Sequence, residues 1–166
     1  LTGLLWGEVA EEKAKNSLRV ALAKLRKMVG DHLIITRQSI AFDRESDYWL
    51  DVAQFERQTG SFTTANKVSL QEALCLYRGD FFSDFYVEGA YEFEEWMLAQ
   101  RAYWQPQALR VGEWLTEQLL LERAYGEAIV VLKRCLRIEP WQECCHRQLM
   151  LAYSRIGDYN AALEQY

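Results

Sequence analysis

The chain has 166 residues, half of them hydrophobic and 13% aromatic, with two prolines and nine glycines, a composition that buries a core and excludes an intrinsically disordered chain. No apolar run approaches the roughly 18 residues that a membrane span requires, and nothing reads as a cleavable signal peptide, so the expected location is the cytoplasm. The net charge of −5 is unevenly spread: residues 1–44 hold eight basic against five acidic side chains, while the remainder is net −8, the asymmetry of a basic nucleic-acid module joined to an acidic module with another task.

Leu18, Ala21, Leu22, Leu25 and Val29 recur at spacings of three and four, which predicts one buried face of an α-helix. Glu11 or Glu12 suits its positive end, and Arg26 and Lys27 precede its close at Gly30. The opposite face carries Asn16, Arg19, Val20, Ala23, Lys24 and Lys27, long cationic side chains with small ones between them. That shape suits a DNA major groove, which is about 12 Å wide, although most basic helix faces are simply solvated. Residues 33–36 and 40–42 are β-branched or aromatic runs separated by Arg37, Gln38 and Ser39, a short hairpin with a cationic tip. A helix followed at once by such a hairpin is the order of a winged helix. The plain alternative is a helix and hairpin that read nothing.

Residues 43–60, DRESDYWLDVAQFERQTG, form a connector in which Asp51 is placed to N-cap a short helix that ends near Gly60. Tyr48, Trp49 and Leu50 are too apolar for a free linker and are expected to dock on the helical body. From Ser69 onward the period is helical, and an offset of 34 residues pairs Leu115 with Leu149, Leu119 with Tyr153, Tyr125 with Tyr159, Ala128 with Ala162 and Ile129 with Leu163. That period, with Pro140 just after the second helix, is the tetratricopeptide signature. Arg123 stands where a turn glycine belongs, a place that Gly157 fills in the next copy. Residues 70–77 and 92–103 are expected to add two divergent earlier helices, because one helix pair cannot bury its own apolar face.

Chemistry-bearing motifs are sparse. The sequence has no glycine-rich phosphate loop, no GxSxG and no HExxH, and only two histidines, so no catalytic residue is assigned. Cys75, Cys135, Cys144 and Cys145 lack the spacing of a zinc site. A metal reading of Cys144, Cys145 and His146 competes with the ordinary one of reduced helical cysteines, and no metal or cofactor is expected. Trp96, Tyr103, Trp104 and Trp114 either line a peptide groove or, more plainly, belong to the core.

The pattern LLW, a short acidic turn, NSLRVALAKLRKMVGD and LIITRQSIAFD resembles the end of an OmpR/PhoB-type winged helix-turn-helix domain as found in the antibiotic regulatory protein (SARP) family of bacterial transcriptional activators. LYRGDFFSDFY at residues 76–86, followed by EFEEWMLAQR, resembles that family's bacterial transcriptional activator domain. The resemblance covers nearly the whole chain and implies a mainly α fold. Residues 1–44 would be the C-terminal part of a winged helix with a short β-hairpin wing, and residues 45–60 a connector helix. Residues 61–166 would be a tetratricopeptide-like repeat domain truncated at its C-terminus.

In that resemblance residues 1–6 correspond to the helix before the turn, residues 12–29 to the recognition helix and residues 33–42 to the wing. Asn16, Arg19, Val20, Ala23 and Lys24 match the groove-facing positions, and Lys27 and Arg37 the phosphate contacts. Gly79 and Asp80 would make a turn, with Phe81, Phe82, Phe85 and Tyr86 packed on the repeats. The family's winged helix begins with an N-terminal sheet and a first helix, so Leu1 is expected to be a cut within a longer protein. The implied function is promoter binding by helix and wing, with the repeat domain serving dimerisation, signal reception or contact with RNA polymerase. The alternative is a tetratricopeptide-type interaction scaffold that binds no DNA.

Overall fold

A computed structural model describes residues 1–36, 38–63 and 66–165. Among the described residues the chain is mainly α, with eight α-helices, one 3-10 turn and one two-stranded sheet. It divides into two compact units, Leu1–Leu50 with Asp84–Ala99, and Asp51–Ser83 with Gln100–Tyr166. None of the helices is long and apolar enough to cross a membrane, among the described residues.

In the first unit α1 (Thr2–Trp6) precedes α2 (Glu11–Val29), which starts at its paired acids and ends after Arg26 and Lys27, as the helix dipole favours. A 3-10 turn (Gly30–His32) leads into β1 (Leu33–Ile35), which pairs antiparallel with β2 (Ile40–Phe42) in the register Leu33 to Phe42 and Ile35 to Ile40. The Thr36 N–H donates to the Ser39 carbonyl at 2.9 Å and its hydroxyl oxygen accepts from the Ser39 N–H at 2.9 Å, so one threonine closes the hairpin tip. At its open end the Asp43 N–H donates to the His32 carbonyl at 2.8 Å, and the Ser46 hydroxyl, which donates to the Asp43 carbonyl at 2.6 Å, lies 2.9 Å from His32 Nδ1.

Two expectations for this unit are corrected. Tyr48, Trp49 and Leu50 are expected to dock on the helical body, but Tyr48 sets its ring edge-on to Phe42 of the hairpin at 4.5 Å, and Trp49 is 65% exposed with Leu50 also exposed. The predicted buried face of α2 is likewise covered only in part. Ala14 is buried and Leu18 and Leu22 half-buried, whereas Ala21, Leu25 and Val29 are exposed. Within Leu1–Leu50 α2 packs chiefly on the five-residue α1 and the 3-10 turn, too little surface to cover a stripe 19 residues long. Residues 84–99 add buried Ala90 and Met97, and Phe93 packs its ring on Phe85 and Trp96 at 5.7 and 5.5 Å.

The second unit contains α3 (Asp51–Thr59), α4 (Lys67–Leu76), the part of α5 (Tyr91–Leu121) from Gln100 on, α6 (Tyr125–Ile138), α7 (Glu143–Arg155) and α8 (Tyr159–Glu164). Asp51 is the first residue of α3 rather than the residue before it, and its Oδ1 accepts from the Val52 N–H at 2.8 Å. The helix predicted over residues 92–103 continues through Pro106 to Leu121. Proline lacks the N–H that the Ala102 carbonyl would receive, but both residues are exposed and water can serve it. Phe55, Leu70, Leu74, Val111, Leu115, Leu119, Leu132 and Leu149 form one core, each such side chain stabilising by about 1.5–3 kcal/mol. Trp104 and Trp114 pack against it, while Trp96 and Tyr103 are exposed, so these four aromatics divide between core and surface.

The 34-residue offset reappears in the backbone. Arg123 and Gly157 both have left-handed φ, +59° and +84°. The Ala124 N–H donates to the Leu119 carbonyl and the Arg123 N–H to that of Leu120; 34 residues on, Asp158 donates to Tyr153 and Gly157 to Ser154. Both pairs are the reciprocal bonds of a Schellman turn. The aromatic turn after α4 differs from expectation: it is Phe82, at φ +50°, that is left-handed, with the Ser83 N–H donating to the Asp80 carbonyl. Phe82 and Phe85 are exposed and Tyr86 is 70% exposed. Instead of aromatic burial, the Arg101 guanidinium holds the turn, donating to the Phe81 and Phe82 carbonyls at 2.8 and 2.7 Å.

Gly112 lies inside α5, where a Cβ would stand 2.2 Å from Cys135 Sγ. Gly112→Ala is expected to lower the unfolding free energy by about 1–3 kcal/mol, and Gly112→Ala with Cys135→Ala to lose less than the sum of the two, read from urea unfolding as a double-mutant cycle. At the two turns the same backbone demand gives opposite signs. Gly157→Ala should destabilise by about 1 kcal/mol or more, whereas Arg123→Gly should be neutral or stabilise by up to about 1 kcal/mol, since release from left-handed strain exceeds the entropy glycine adds to the unfolded chain.

Candidate nucleic-acid interface

Helix α2 presents Asn16, Arg19, Val20, Ala23, Lys24 and Lys27 to solvent, all six exposed. Their spacing places them on one side of the helix over roughly 16 Å at about 1.5 Å per residue. Among the described residues Arg19, Lys24, Arg26 and Lys27 take part in no ion pair. Lys15 is different. Its ammonium is 2.6 Å from Glu11 Oε1 one turn earlier, and their mutual hydrogen bond holds the Lys15 pKa above and the Glu11 pKa below its ordinary value. Glu11 and Lys15 therefore neutralise each other, and among the described residues Lys13 and the cations of α2 from Arg19 onward form no ion pair.

The face is not purely polar. Val20 is exposed between Arg19 and Lys24, and on the neighbouring surface Met28 is 81% exposed beside exposed Leu25 and Val29. Sequence periodicity assigns Leu25 and Val29 to the core, on the side of α2 opposite the cationic face, and the fold leaves them exposed there. Small and apolar groups between cations let a helix approach closely and touch thymine methyls, while Arg and Lys reach guanine edges or phosphates. Arg37, expected at the hairpin tip, lies outside the described residues.

The cysteine–histidine triplet is spoken for by local bonds. Cys145 is buried, and its thiol is pushed up by its hydrogen bond with Cys135 and then by burial; the same bond draws Cys135 down. His146 Nε2 lies 2.8 Å from the Pro140 carbonyl, which fixes it as a donor, and Nδ1 lies 2.6 Å from Gln165 Nε2, from which it accepts. Among the described residues no group of three His, Cys, Asp or Glu side chains is arranged to hold a metal ion.

The profile of the bacterial transcriptional activator domain family matches residues 50–166, which takes in all of α3 to α8. No curated protein and no solved structure matches the chain.

Because the cationic side chains of α2 contact so little of the fold, Arg19→Ala with Lys24→Ala is expected to leave unfolding free energy within about 0.5 kcal/mol of the parent. Ala14→Leu, at a site only 2% exposed, should cost about 1–3 kcal/mol by overpacking. Thermal and urea unfolding monitored by circular dichroism separate the two cases.

Proposed function

The chain belongs to the bacterial transcriptional activator domain family, and on that premise we propose that it is a DNA-binding transcriptional activator of the antibiotic regulatory protein type, working in the cytoplasm. In this reading residues 1–44 are the C-terminal part of a winged helix, with α2 as recognition helix and the hairpin β1–β2 as wing. Residues 61–166 are a tetratricopeptide-like domain that mediates homodimerisation, signal reception or contact with RNA polymerase. The protein is a regulator and not an enzyme. Its partner is double-stranded promoter DNA.

The observation that carries the reading is the exposed face of α2, where Asn16, Arg19, Val20, Ala23, Lys24 and Lys27 stand together and the cations form no ion pair among the described residues. Three features support it: the order of helix and hairpin, the charge asymmetry along the chain, and the family match downstream. Lys24, Lys27 and Arg37 supply phosphate contacts and salt-dependent affinity, and Asn16 and Arg19 read base edges. A second reading, an interaction scaffold without DNA binding, draws on the apolar surface at α7 and α8. Trp141 there is 90% exposed, and Leu151, Ile156, Tyr159 and Leu163 are exposed as well.

Fluorescence anisotropy of the full-length protein on duplex DNA, over a range of salt, decides between them. Lys24→Ala with Lys27→Ala should flatten the slope of log affinity against log salt by about 2, whatever the sequence. Arg19→Ala should cost about 1–3 kcal/mol on the preferred site and relax its specificity. A folded protein that binds no duplex at low salt would leave the scaffold as the better reading.

A further inference from the structure

In the second unit, Arg134 on α6 reaches the end of α4. Its Nη2 donates to the carbonyls of Cys75 and Tyr77 at 3.1 and 3.2 Å, and its Nη1 is 3.8 Å from Cys75 Sγ. These are carbonyls that the end of a helix leaves without a partner, so one guanidinium closes α4. Its Nε is buried and has no hydrogen-bond partner.

Beside this clamp opens a cleft of about 380 Å³, lined by Tyr77, Arg78, Gly79, Asp80, Arg134, Arg137 and Ile138. Three arginines and one aspartate thus line one recess. That carboxylate is engaged, since Asp80 Oδ1 accepts from the Tyr77 hydroxyl at 3.0 Å. Burial, and then this bond, raise the Tyr77 pKa and keep its hydroxyl protonated. Among the described residues neither Arg78 nor Arg137 forms an ion pair.

Of the carbonyls that line the cleft, that of Tyr77 is taken by Arg134 and that of Ile138 by Gln105 Nε2 at 3.2 Å. The donors in excess are guanidinium N–H groups, in a chain of net charge −5. Planar forks of this kind match carboxylate and phosphate oxygens, and the volume falls in the range of small-molecule sites.

We propose that this cleft binds a small multiply charged oxyanion, carboxylate- or phosphate-bearing, held by Arg78 and Arg137 with Arg134 as the rigid floor. The site is independent of the DNA reading, as it uses no residue of α2.

Isothermal titration calorimetry of the whole protein with pyrophosphate, and separately with citrate, tests it. The expected result is saturable one-site binding of at least one probe, weakened about tenfold or more by Arg78→Ala with Arg137→Ala and partly retained in Arg137→Lys, which keeps the charge but not the fork. The probe that binds more tightly names the source, phosphate or carboxylate. Lys24→Ala with Lys27→Ala should leave this binding unchanged. The proposal is overturned if neither probe saturates, if the Arg78, Arg137 variant binds as the parent does while remaining folded by circular dichroism, or if the α2 variant loses binding equally. Arg134 is left intact because it closes α4 and its loss would confuse folding with binding.

Discussion

The second unit depends on how closely α5 and α6 approach at Gly112. Glycine inside a helix forfeits about 1 kcal/mol of propensity relative to alanine, so its place in the middle of a 31-residue helix needs a packing reason. That reason is Cys135, whose sulfur occupies the space a Cβ would need, with Leu74 of α4 also within van der Waals reach. Three helices converge where one side chain is missing. Thr116, the one buried polar residue of this core among those described, turns its hydroxyl to the Gly112 carbonyl at 2.8 Å and so adds no unsatisfied group. Since Arg134 precedes Cys135 in α6, the depth at which Cys135 seats also fixes where that guanidinium meets the end of α4. The apolar contact and the polar clamp are two consequences of one approach distance.

The turns show how backbone geometry outlasts residue identity. Arg123 and Gly157 sit at equivalent places in units 34 residues apart, and both are left-handed with the same two reciprocal hydrogen bonds. Glycine adopts that conformation without strain and arginine at about 1–2 kcal/mol. The Arg123 turn joins α5 to α6 and the Gly157 turn joins α7 to α8, so each chain reversal takes the same backbone form and the local sequence only decides how much strain accompanies it. Phe82 is a third case, and there the charged hydrogen bonds of Arg101 to the Phe81 and Phe82 carbonyls offset the strain.

Local signals were legible and non-local ones were not. The limits of α2 and the presence of the hairpin follow from period, β-branched runs and end charges, because each involves residues a few positions apart. The repeat offset is legible for the same reason, applied twice. Burial of the α2 stripe was not, because periodicity reports which residues share a face and not whether a neighbour covers it; Ala14 is covered and Leu25 and Val29 are not. The aromatic stretch at residues 81–86 misled similarly, since hydrophobicity predicts burial and a turn held by Arg101 leaves Phe82 and Tyr86 outside. The Arg134 clamp joins residues 57 and 59 positions apart, beyond any spacing rule. Of the candidate interface, sequence alone places all six α2 residues on one face. It does not reveal that Glu11 and Lys15 neutralise each other while Arg19, Lys24 and Lys27 form no ion pair among the described residues.

The two cationic surfaces differ in what they owe to the fold. On α2 the cations are solvated side chains on a helix with one buried residue, so their identity is nearly free of structural constraint and can be set by what they contact. In the cleft beside α4, Arg134 completes a helix end and cannot be exchanged without leaving the Cys75 and Tyr77 carbonyls short of a partner. Arg78 and Arg137, exposed and in no ion pair among the described residues, carry no such duty. A fold that needs only one of three guanidinium groups for its own hydrogen bonds still holds all three around one recess. Mutual repulsion among them opposes that arrangement, and in water it is weakened but not abolished. A bound oxyanion removes the repulsion at its source, which ties the stability of this corner of the helical unit to occupancy of the cleft.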